Sequence, residues 1–76
     1  MPKKIFIGSL SLTTTNVTIA STFSPYGTIV TSGIDRDAAG QPLGTAQVEY
    51  STDQAGTNAI AAKHLSVLDG NTITVQ

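Results

Sequence analysis

Seventy-six residues suffice for one small core and no second, and the lack of cysteine excludes a disulfide frame and a thiolate metal site. Four Lys and Arg against five Asp and Glu leave a net charge of −1, and only 12% of the chain is charged, half the usual ~25%. Nucleic-acid binding driven by phosphate neutralisation needs many cations, so this balance excludes a strongly electrostatic mode.

Residues 3–8, KKIFIG, alternate, with Ile5 and Ile7 on one face and Lys4 and Phe6 on the other, which predicts a first strand. The opening MPKKIFIGSLSL is basic then apolar, as in a signal peptide, but polar residues interrupt it and no small-residue cleavage pattern follows. In TTNVTIASTFSPYG, the spacing of Val17, Ile19 and Phe23 around Ala20 predicts a helix capped by Thr14 and stopped by Pro25 and Gly27. Thr15, Val17, Thr18, Ile19 and Thr22 are β-branched and lose rotamer freedom in a helix, so tertiary packing has to hold it.

A second strand is expected over about 28–34, followed by a charged loop, DRDAAGQP, in which Asp35 and Asp37 neutralise Arg36. Gly44 to Tyr50 alternate as a third strand, with Ala46, Val48 and Tyr50 inward and Thr45, Gln47 and Glu49 outward. STDQAGTNAIAAKHL predicts a second helix capped by Ser51 or Asp53, in which Gly56 costs roughly 1 kcal/mol relative to Ala. LDGN then turns the chain into a fourth strand, TITVQ, with Ile73 and Val75 inward. The order β-α-β-β-α-β is the split-βαβ plan: an α+β, ferredoxin-like sandwich with two helices on one face of a four-stranded antiparallel sheet. The chain reads as a single domain, 1–76, with no linker, tail or membrane-spanning apolar run.

Four segments carry a family likeness. IFIGSL at 5–10, FSPYGTI at 23–29, LGTAQVEY at 43–50 and LDGNTI at 68–73 stand in the order of the conserved stretches of an RNA recognition motif (RRM) domain, which the whole chain resembles. Within that family, GQPLGTAQVEY is similar to the Aly/REF messenger-RNA export adaptors. That narrower likeness implies weak RNA binding by the domain, basic flanking tails for the rest, protein partners docked on the helices and a nuclear location. The tails have no counterpart in this chain.

The departures from the family pattern bear on function. RNA-reading members begin the third-strand motif with Lys or Arg and carry aromatic rings at its third and fifth positions; here those places hold Leu43, Thr45 and Gln47. Phe6 in the first-strand motif is the one stacking residue retained, and Tyr50 belongs to the buried face. Lys63 stands where an apolar residue usually ends helix 2, which predicts a shifted helix register.

Lys4, Phe6, Thr45 and Gln47, with Thr72 and Thr74, are expected to share one exposed surface: one ring and one cation among hydroxyls and amides. Two missing rings forfeit about 2–6 kcal/mol of base stacking, which takes a micromolar reader to the millimolar range or beyond. Phe6 has two readings, a residual base contact or an exposed aromatic kept for strand propensity. Lys3 and Lys4 read as solvating charges rather than phosphate ligands.

Other chemistry is thin. His64 stands alone at a helix end, DRD is too short for a calcium loop, and no G-x-S-x-G elbow or phosphate-binding glycine pattern occurs. NVT at Asn16 matches the glycosylation pattern by chance, inside a helix. The expectation is no enzyme, no cofactor and no metal. Nineteen Ser and Thr in 76 residues fill positions where natural helix surfaces carry Glu, Lys and Arg. The leading expectation is therefore a designed or redesigned RRM-fold scaffold, monomeric, with no selected activity and at most weak single-stranded RNA binding. Two alternatives stand beside it: an intracellular Aly/REF-like adaptor that binds protein through its helices, and an ordinary single-stranded RNA binder.

Overall fold

A computed structural model of the chain describes residues 1–76. The alternation in KKIFIG becomes β1 (Lys3–Gly8), in which Ile5 and Ile7 are buried while Lys4 and Phe6 face solvent. The first helix, α1 (Asn16–Phe23), is short and is continued by a single 3₁₀ turn at Ser24–Tyr26 that carries Pro25 at its start.

Thr15, not Thr14, is its N-cap. Thr15 has the extended backbone a cap requires (φ −107°, ψ 167°), and its Oγ1 accepts the Thr18 N–H at 3.3 Å. Thr14 is buried and donates its hydroxyl to Asp69 Oδ2 at 2.7 Å, which ties the helix entry to a turn near the end of the chain. Of the apolar residues that predict this helix, Ile19 and Phe23, four apart, are buried, whereas Val17 is 75% exposed. Two anchors thus offset the poor propensity of the segment. Asn16 of the NVT pattern directs its Oδ1 across to the second strand, where it accepts the Ile34 N–H at 2.8 Å.

Strands β2 (Ile29–Arg36) and β3 (Pro42–Tyr50) both run further than the sequence pattern predicts, and Arg36 pairs with Pro42. Asp35 therefore lies on the sheet and not in the loop. Arg36 is not neutralised by its flanking carboxylates: its guanidinium donates to the Gly40 carbonyl at 2.9 Å, while Asp37 Oδ1 accepts the N–H groups of Ala39 and Gln41.

Thr52, between the two expected caps, accepts the Ala55 N–H and begins α2 (Asp53–Lys63). Ala55, Gly56 and Ala59 are buried and Ile60 and Lys63 half-buried, so the inner stripe runs without a shift and Lys63 closes it at the last turn. Gly56 has a packing reason as well as a propensity cost. A Cβ there would lie 2.8 Å from Lys3 Cγ and Cδ, so its absence lets the Lys3 stem lie against α2.

The expected fourth strand is broken in two. β4 (Val67–Leu68) and β5 (Asn71–Thr72) form a separate small hairpin about Asp69–Gly70, and β6 (Thr74–Val75) joins the main sheet. Thr72 pairs with Val67 and so lies outside that sheet. The four main strands are antiparallel in the order β2-β3-β1-β6. Ile5, Ile7, Val48, Tyr50 and Val75 from the strands meet Ile19, Phe23, Ala55 and Ala59 from the helices in one core, as the sandwich requires.

Tyr50 closes that core with a polar tip: its hydroxyl donates to the Phe23 carbonyl at 2.5 Å at the end of α1. Burial, with a smaller contribution from Tyr26, pushes the phenol up to about 12 from its ordinary 10.0. The folded state thus keeps a proton that the unfolded chain releases near pH 10, so stability is full below pH 10 and falls as pH rises toward 12. The expected loss is about 2–3 kcal/mol across that window. Urea midpoints measured from pH 8 to 12 should show this decline, and Tyr50→Phe should flatten it while costing about 1 kcal/mol at neutral pH. An equally steep decline in Tyr50→Phe would assign the alkaline sensitivity to another group.

Candidate nucleic-acid interface

The face of the sheet turned away from the helices is built by strand alternation, and the register sets its rows. Thr31, Glu49 and Lys4 stand side by side on β2, β3 and β1; Gly33, Gln47 and Phe6 form the next row. Phe6 and the terminal Gln76 exchange both backbone hydrogen bonds, 2.6 and 2.9 Å, which extends that row to the far edge. Gly8 opposite Thr74 belongs to the following row, toward Asp35 and Thr45.

Lys4, Phe6, Thr45 and Gln47 are thus brought onto one surface, with Thr74 but without Thr72. Phe6 is 50% exposed, enough for a free ring face. Leu43, in the place of the family's basic residue, is also exposed, at the start of β3. Lys3 is directed to the other side, where it meets α2.

Asp35 is the residue that sequence reasoning missed. Its Oδ2 accepts the Thr45 hydroxyl at 2.7 Å and its Oδ1 the Gln47 Nε2 at 3.1 Å. One carboxylate therefore organises both positions that lack their rings. Glu49, in the row of Lys4, accepts the Thr31 hydroxyl at 3.4 Å. The face consequently carries two carboxylates against one ammonium, and it is more hostile to phosphate than a lawn of hydroxyls and amides. The signal available in the sequence was the two-residue step from Gly33 to Asp35, which continues the outward positions of β2.

Between Phe6 and Asp35 lies an open groove of about 340 Å³, with Gly8, Thr45, Thr74 and Gln76 also at its walls and floor. Gly8 makes that floor, since a Cβ there would come within 2.8 Å of Thr74 Oγ1. No comparable constellation surrounds His64: its Nδ1 accepts the Val75 N–H at 3.0 Å, a structural task at the end of α2. No three His, Cys, Asp or Glu side chains come together in a way that could hold a metal ion. No helix is long and apolar enough to cross a membrane.

A four-stranded antiparallel sheet backed by two helices is a frame shared by many unrelated functions, so the family rests on comparison with known proteins. The chain matches the RNA recognition motif family model over residues 5–74 and belongs to that family. It is 32% identical over 74 residues to the organelle RRM domain-containing protein 6, chloroplastic, of Arabidopsis thaliana, a match covering 96% of this chain and 41% of that protein. It is 34% identical over 76 residues to the glycine-rich RNA-binding protein 1 of Mycosarcoma maydis, covering 99% of this chain and 43% of the relative. The chain thus spans less than half the length of these relatives.

Among solved structures, it resembles the SXL-lethal protein/RNA complex with a TM-score of 0.89 and 29% identity, over 96% of this chain and 46% of the other. It also resembles the first two RRM domains of the yeast poly(U)-binding protein, with a TM-score of 0.92 over 99% of this chain and 46% of that one. At 17% identity the second likeness speaks for the fold alone. The expectations of a redesigned, inactive scaffold and of an export adaptor draw no support from these relatives.

Proposed function

We propose that this domain binds single-stranded RNA weakly, by stacking one base on Phe6 and contacting its edge with the polar groups of the groove. The observation that carries this reading is the half-exposed Phe6 ring beside a groove lined by Asp35 and the Thr45 hydroxyl it holds, in a chain of an RNA-binding family. Thr45 and Gln47 take part as hydrogen-bonding groups, and Lys4 supplies the one cation of the face. With so little positive charge, affinity lies in the high micromolar to millimolar range and depends weakly on salt. A single phosphate contact gives a slope of about −0.7 in log affinity against log salt.

The test is a titration with short single-stranded RNAs at low salt, followed through backbone amide shifts. Shifts should centre on Phe6, Thr45 and Gln47, and Phe6→Ala should abolish measurable binding, since a stacked ring is worth roughly 1–3 kcal/mol. Binding that survives Phe6→Ala, or shifts confined to the helices, would reject this reading. The helix result would point to the adaptor, and no response at all to an inert scaffold.

A further inference from the structure

Resting on the RNA-binding reading above, we infer that Asp35 makes the groove beside Phe6 selective for guanine. The argument starts from the direction of two hydrogen bonds. An ionised carboxylate only accepts, so Thr45 has to spend its one hydroxyl proton on Asp35 Oδ2 and Gln47 has to turn its amide nitrogen to Oδ1. What remains free on Thr45, which lines the groove, is then acceptor, the lone pairs of its Oγ1; Gln47 stands outside the groove and keeps its carbonyl oxygen and a second amide N–H. Asp35 itself uses two of its roughly four lone-pair sites and keeps the others. The wall made by Asp35 and Thr45 thus presents acceptors to whatever enters the groove, which Thr74 and Gln76 also line.

The base that satisfies such a groove is the one with adjacent donors. Guanine offers its N1–H and N2 amino group side by side on the Watson–Crick edge. Cytosine and adenine each offer one amino group beside an acceptor nitrogen. Uracil offers a single imino N–H between two carbonyl oxygens, and these would face the carboxylate. The 340 Å³ of the groove falls at the low end of the roughly 300–1,000 Å³ of ligand pockets, enough for a single base. Phe6 lines the same groove, so a base can stack on its ring while its edge reaches Asp35. The preference should therefore run guanine first, cytosine and adenine next, uracil last.

Four pentanucleotides, UUGUU, UUCUU, UUAUU and UUUUU, titrated up to millimolar concentration with amide shifts as the readout, decide the matter. UUGUU is expected to bind about tenfold or more tighter than UUUUU, the discrimination of one good bidentate base contact. In Asp35→Asn, checked for folding by its amide spectrum, the guanine advantage should vanish and UUUUU should bind more tightly, because a negative charge has left the face. Equal binding of all four RNAs by the unmodified domain overturns the guanine assignment and leaves the RNA-binding reading in place. A guanine preference that persists in Asp35→Asn likewise overturns the role of Asp35. No binding of any of the four removes both readings together.

Discussion

Replacing Thr45 and Gln47 together by phenylalanine is expected to tighten binding to single-stranded RNA by roughly thirtyfold at the least and by more than ten-thousandfold at the most. Each added ring is worth roughly 1–3 kcal/mol as a stacking platform. Phe6 stands directly opposite Gln47, so the new rings would continue the surface that already exists. The gain should lie toward the lower end. The double substitution strips Asp35 of both hydrogen-bond partners and leaves an uncompensated carboxylate beside the incoming phosphates. Adding Asp35→Ala should therefore release a further increase. Anisotropy of a labelled oligouridine, followed for the parent, the double and the triple variant, provides the comparison. A double variant with unchanged affinity would show that the two positions do not act with Phe6 as one stacking surface.

The second large effect concerns the core. Phe23→Ala should destabilise the domain by about 3–5 kcal/mol, because Phe23 is fully buried and α1 has only Ile19 beside it as an anchor. At roughly 0.05–0.15 kcal/mol per residue, a chain of this length has about 4–11 kcal/mol in all, so the variant should lose roughly a third or more of its stability and unfold at a much lower urea concentration. Val17→Ala, six residues earlier on the same helix, should change stability by no more than about 0.5 kcal/mol, since its side chain is in solvent. Urea unfolding followed by circular dichroism separates the two. A Phe23→Ala domain that unfolds within 1 kcal/mol of the parent would mean that the core repacks around the loss.

The contrast between these two residues shows what could be read in advance. β1 and β3 were legible because strict alternation leaves one assignment of faces, and both strands lie in the middle of the sheet. The α1 stripe was only partly legible: in two turns, Val17 and Ile19 cannot both face inward, and the i, i+4 pair decides. The α1 cap was missed by one residue because Thr13, Thr14 and Thr15 are chemically equal candidates. What separates them is backbone conformation and the tertiary bond from Thr14 to Asp69, 55 positions away. Asp35 was lost for a related reason. The pairing of β2 is interrupted between Ile29 and Thr31 and again between Ile34 and Arg36, which obscures its alternation, and DRD has the composition of a loop. Thr45 and Gln47 were placed on the correct face from β3 alone. That they are held by a carboxylate from the neighbouring strand depends on a pairing that no local pattern announces.

The bond from Asn16 to Ile34 has a consequence for behaviour at high concentration. β2 is an outer strand of the sheet, and outer strands are where molecules of the same kind zip together into aggregates. Copies with a net charge of −1 repel one another feebly, so protection of this edge rests on its geometry. The helix side chain occupies one rung of the ladder that an intruding strand would need, and the two pairing irregularities bend the remainder out of line.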